Sequence, residues 1–122
     1  MWNIYDKLIQ TVPEHLTVDR ITQGDTWTFV ASGNRRGIAI TVNEQGKPLP
    51  SFADYRGASL RELSALCKSW DFAEASVGTA ALNAYFNTRE DIQKIGATKT
   101  DGGFDDYKKI AAGKKVAIIG HF

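Results

Sequence analysis

The chain has 122 residues but only one cysteine, two histidines, one methionine and three prolines. A single cysteine excludes an internal disulfide and leaves no paired thiolates for a metal, which fits a reducing cytoplasm. Excess charge is missing too: fifteen basic against fourteen acidic residues leave a formal +1. Nothing resembles the basic stripe that neutralises a phosphate backbone, so no nucleic-acid partner is expected. No run approaches the ~18 consecutive apolar residues of a membrane helix, so no membrane partner is expected either. The start, Met1-Trp2-Asn3-Ile4-Tyr5-Asp6-Lys7, lacks the basic and apolar regions of a signal peptide. Repeats, low-complexity segments and long like-charge runs are absent. What remains is 43% hydrophobic and 24% charged, the mixture of an ordinary globular domain of this length.

Periodicity divides the chain. Trp2, Tyr5, Leu8, Ile9 and Val12 lie on one face of a 3.6-residue period, which predicts a helix over 2–12 ended by Pro13. Residues 16–42 read as three strands. Trp27, Phe29 and Ala31 alternate with their neighbours, as do Ile38, Ile40 and Val42. Gly24-Asp25 and Ser32-Gly33-Asn34-Arg35 supply the turns. The product is a three-stranded antiparallel meander with one face buried. Residues 43–58 form a long connection, functional or anchored by Phe52 and Tyr55.

Helices follow. Ser59-Leu60-Arg61-Glu62 reads as a capping box, and Leu60, Leu63, Cys67 and Trp70 continue one apolar face. Phe72 to Asn87 carries one charge, Glu74, so this helix is expected to be covered on most sides, with Gly78 permitting close approach. Thr88-Arg89-Glu90-Asp91 starts another helix, with Ile92 and Ile95 expected inward and Gly96 as the stop. Phe104, Tyr107, Ile110 and Ala111 suggest a last short helix ended by Gly113. The fold class expected is α+β, the meander packed on a helical layer. Lys114 to Phe122 reads as a buried strand running into a glycine turn, of the kind that belongs to a parallel sheet.

Chemistry is sparse. Thr79, Asn83 and Asn87 fall at i, i+4, i+8, with Ser76 just before them. This neutral polar stripe either lines a cleft and hydrogen-bonds a ligand or braces nearby backbone. Glu74 is either a metal ligand or proton acceptor, or a carboxylate stabilising its helix N-terminus. His15, His121 and Cys67 are scattered, without metal-ligand spacing, and Cys67 fits a core face. Gly120 follows an apolar strand and serves a turn or lets backbone approach an anion. Arg35-Arg36 and Asp105-Asp106 read as a charged turn and a solvated helix start. No G-x-S-x-G occurs and no Ser/His/Asp order stands out.

Three segments carry a resemblance: Trp2-Asn3-Ile4-Tyr5-Asp6, Arg56-Gly57-Ala58-Ser59-Leu60-Arg61-Glu62-Leu63, and Glu74 through Ala84 with its continuation to Asn87. They resemble a family named for putative heavy-metal chelation. The resemblance implies an enolase N-terminal-like α+β domain over 1–113, and over 114–122 the first strand and turn of a Rossmann-like domain whose remainder is missing. It further implies a ligand cleft between the two domains, with this chain as one wall. Thr79, Asn83, Asn87 and Gly120 are then the expected ligand contacts, and Glu74 the weak candidate for a metal. The expected ligand is a small anion or a divalent transition metal. The expected partner is the missing Rossmann-like domain or another subunit. Two alternatives stand beside this reading: the substrate-positioning domain of an enzyme whose Rossmann-like part holds an anionic cofactor, and a non-catalytic assembly module.

Overall fold

The computed structural model describes residues 2–42, 55–96 and 105–117. Helix α1 spans Asn3–Thr11. Strands β1 (Arg20–Gln23), β2 (Trp27–Ser32) and β3 (Arg35–Ile40) follow. Helix α2 (Leu60–Ala65) runs into a single 3₁₀ turn at Leu66–Lys68. Helices α3 (Phe72–Phe86), α4 (Arg89–Lys94) and α5 (Asp105–Ala111) complete the order. This is the α+β arrangement the periodicity predicts: an antiparallel sheet in the order β1-β2-β3, with α3 packed on one face.

Local chemistry sets the turns. In the β1–β2 turn the Gly24 amide donates to the Trp27 carbonyl at 2.9 Å. Ser32 pairs with Arg35 across a two-residue turn. There Gly33 takes φ +57° and no non-glycine residue is positive, the pattern of a type II′ turn. Asp19 Oδ2 accepts from the Gly33 amide at 2.6 Å.

The core lies between the sheet and α3. Val30 and Ala39 meet Val77, Ala80, Ala81 and Ala84, while Ile9, Val12, Val18, Leu60, Leu63 and Cys67 close the other side. Close approach is the governing feature. A Cβ on Gly37 would sit 2.1 Å from the Ala80 carbonyl oxygen, and one on Gly78 would sit 1.9 Å from the Cys67 nitrogen. So α3 is pressed against β3 on one side and against the 3₁₀ turn on another. That double contact accounts for its single charge. Asp71 starts the helix by accepting from the Ala73 and Glu74 amides. Arg61 ties α2 to α1, donating to the Gln10 and Val12 carbonyls and to Glu14.

Three expectations are corrected. At Ser59 the side chain accepts from the Arg61 amide, one residue earlier than a capping box requires. Trp70 leaves the apolar face begun by Leu60, Leu63 and Cys67: α2 tightens to 3₁₀ geometry, the phase is lost, and Trp70 is 83% exposed. Its ring packs edge-on against Trp2 instead. Ile92 and Ile95 do not face inward, and α4 buries nothing. The sheet has one buried face, as expected: it is that of the other alternating set, so Trp27, Ile38, Ile40 and Val42 are exposed.

The connection after Val42 returns at Tyr55, which packs on the core. Phe52 lies outside the described residues. The Gly57 amide donates to Val18 and the Val18 amide to Ala58, so the segment re-enters beside the sheet. Of the terminal apolar run, residues 114–117 are exposed and not in a strand, and 118–122, with Gly120 and His121, lie outside the described residues. Among the described residues no helix is long and apolar enough to cross a membrane.

Candidate functional site

The free edge of β3 meets the flank of α3 in an open groove of about 420 Å³. Its lining is Ala39, Ile40 and Val42 from the strand side and Phe72, Ala75, Ser76, Thr79 and Asn83 from the helix. Two members of the sequence-predicted stripe, Thr79 and Asn83, thus share one groove with Ser76.

The edge chemistry is specific. The Thr41 amide donates to the Thr26 carbonyl at 2.9 Å, which sets the antiparallel alternation. Gly37, Ala39 and Thr41 turn their peptide groups toward β2, and Ile38, Ile40 and Val42 turn theirs toward the groove. Helix α3 satisfies two of these positions. Asn83 Nδ2 donates to the Ile38 carbonyl at 2.7 Å. The Val42 amide donates to Ser76 Oγ at 3.0 Å, and that hydroxyl donates to Phe72 O at 2.8 Å. Thr79 stands on α3 between these two clamps, and its hydroxyl donates to the Ala75 carbonyl at 2.8 Å. The stripe therefore braces backbone at its ends while part of it lines open space.

The remaining candidates lie elsewhere. Asn87 is the C-cap of α3, exposed, its amide bound to the Asn83 carbonyl. Glu74 sits in the first turn of α3, where Ser69 Oγ from the segment before the helix donates to its Oε2 at 2.7 Å. Cys67 is buried, and burial pushes its thiol pKa up; Asp6 adds to this and Lys68 opposes it. A raised thiol pKa disfavours the thiolate a metal would need. His15 is exposed in the turn after Pro13. Among the described residues no three His, Cys, Asp or Glu side chains converge on a point where a metal ion would fit. Described residues therefore do not form a closed metal site.

Sequence reasoning missed the strand side of the groove. Ile40 and Val42 contribute edge peptide groups, which carry no residue-type signal. Phe72 was legible only as the first residue of an uncharged helix.

The family model described as "Putative heavy-metal chelation" matches residues 5–86. The crystal structure of a protein of unknown function from Desulfitobacterium hafniense is similar, with 34% identity and a TM-score of 0.79. That match covers all of this chain and half of the other, so the chain spans about half the length of its solved relative. No curated protein matches the chain. With two thirds of its residues under that one model, the chain belongs to the putative heavy-metal chelation family.

Proposed function

We propose that this domain is one wall of a ligand- or metal-ion-binding cleft, completed by a second domain or another subunit. The groove bearing Thr79 and Asn83 carries the reading, because it is open on the side away from α3 and β3. Three further facts support it. The family name indicates a coarse metal-related role. A solved relative carries about as much chain again. And the sheet face beside the groove leaves four large apolar side chains, Trp27, Ile38, Ile40 and Val42, half or more exposed.

Within this reading Asn83 and Ser76 hold the strand edge at a set distance from α3, and Thr79 and the edge peptides face the ligand. Metal coordination falls to groups supplied by the second wall. Calorimetric titration of zinc or nickel tests this. The longer relative should bind the ion and this chain alone should not. Absence of binding by the longer protein would remove the metal version of the proposal.

The apolar sheet face also favours a second reading, a non-catalytic assembly module. Sedimentation at rising concentration separates the two: self-association of this chain by itself supports assembly, and a concentration-independent monomer counts against it.

A further inference from the structure

We infer that the β3–α3 groove takes a small neutral molecule with a lactam-type edge, an N–H beside a C=O, and not a metal ion directly. This rests on the groove being a cleft wall, and it names what that wall recognises.

The argument begins with the strand edge. Ile38 and Val42 are clamped by Asn83 and Ser76. Ile40 sits midway, and the alternation turns its N–H and C=O to the same side. Among the described residues neither group has a partner. In an extended strand these two groups lie side by side, and an antiparallel neighbour would take both at once. A cis-amide presents the complementary pair, so it can seat on Ile40 with two parallel hydrogen bonds.

The clamps decide the size of the occupant. Ile38 to Val42 spans roughly 13 Å at ~3.3 Å per residue. A pairing strand would need the Ile38 carbonyl and the Val42 amide as well, and both are taken. One residue's worth of edge is open, which suits a single ring rather than a peptide. The walls suit a ring body: Ile40, Val42, Phe72 and Ala75 are apolar, and the volume falls in the range of small-molecule sites. Thr79 uses its proton on Ala75, which leaves its oxygen free to accept from the occupant. No carboxylate, imidazole or thiol lines the groove, so a bare cation finds no ligand of its preferred kind there.

Amide-resolved NMR of the whole chain tests this with defined probes. 2-Pyridone carries the lactam edge; N-methyl-2-pyridone has the same ring with the donor blocked. The expected result is a 2-pyridone titration that shifts the Ile40 and Thr79 amides with a Kd on the order of millimolar, as suits a molecule of about seven non-hydrogen atoms. N-Methylation should weaken binding about tenfold or more, the cost of about one hydrogen bond left unmade. Zinc chloride should leave those amides in place. Equal response to both pyridones, no response to either, or zinc shifts centred on Ile40 would each overturn the inference. So would an extended apolar peptide that displaces both clamps and shifts Ile38 and Val42 together. These tests use this chain alone, so they can fail while the longer relative still binds metal, and the reverse.

Discussion

The two faces of the sheet are built from different residues. The inner face offers Gly37, Ala39, Thr41, Thr28 and Val30, and the outer offers Trp27, Phe29, Ile38, Ile40 and Val42. The smaller set is buried and most of the larger set meets water. Side-chain size explains the choice. A helix as smooth as α3, with Ala73, Val77, Ala80, Ala81 and Ala84 toward the sheet, gains most dispersion energy where the opposing strand is also smooth. Gly37 lets the backbones of β3 and α3 approach, and a bulky inner set would hold them apart. Most polar groups on this face find partners within it, although among the described residues Gln23 Oε1 is buried without one. Thr28 and Thr41 share a hydrogen bond at 2.9 Å, and Gln23 Nε2 donates to Thr28 and to the Ala73 carbonyl. The outer face has no such closure and leaves Trp27, Ile38, Ile40 and Val42 in water. One face shows how the domain holds itself together, and the other is left uncovered by the described residues.

Substitutions can break that contrast. The largest effect is expected at Gly37→Val, whose side chain must displace the Ala80 and Ala84 backbone. A loss of at least about 3 kcal/mol is expected, read as a collapse of the urea midpoint. Leu63→Ala, which empties a wholly buried site, should cost about 3 kcal/mol in the same assay, with an unchanged denaturant slope. On the opposite face, Ile38→Thr should move stability by less than about 0.5 kcal/mol while reducing any self-association seen in sedimentation. A loss near that of Leu63→Ala would mean that the outer face is already packed in the free chain.

The smallest effect lies away from both faces and serves as a control. Asp91 has its pKa lowered, first by the hydrogen bond from the Thr88 hydroxyl and then by Lys94 and Arg35. Its folded value lies below its unfolded one. The support it lends to the start of α4 is therefore present above the ordinary carboxylate pKa of about 3.9, and is lost as pH falls through the lower folded value. An NMR titration of Thr88→Ala should move the Asp91 midpoint up toward the ordinary range and leave the sheet amides unchanged.

Features set by short-range chemistry were legible in the residues. Gly33, Gly96 and Gly113 mark stops and turns because each needs a positive φ. The extent of α3 was legible because its charge pattern is unlike that of a surface helix. Gly78 was readable as a close-approach position for the same reason. The Asp71 cap that starts the helix shows only in the structure. Period-2 alternation identified β2 and β3, but both alternating sets hold apolar residues, so the pattern could not say which face would be covered. Trp70, Ile92 and Ile95 fell at helical spacing, yet spacing does not supply a neighbour to pack against. Of the candidate site, Thr79 and Asn83 were found as a polar interruption of an apolar helix. Its other half, the peptide edge around Ile40, has no side-chain signature.

The order and type of the elements, the covered central helix and the family were thus set by the amino-acid sequence alone, since they depend on steric preference and on spacing within some twenty residues. Which sheet face is covered, how near α3 approaches β3, and which polar groups end up beside the open edge were decided only by tertiary packing. Those outcomes depend on competition between surfaces far apart in the chain, and there the volume of a side chain at Gly37 outweighs the hydrophobicity of one at Ile38.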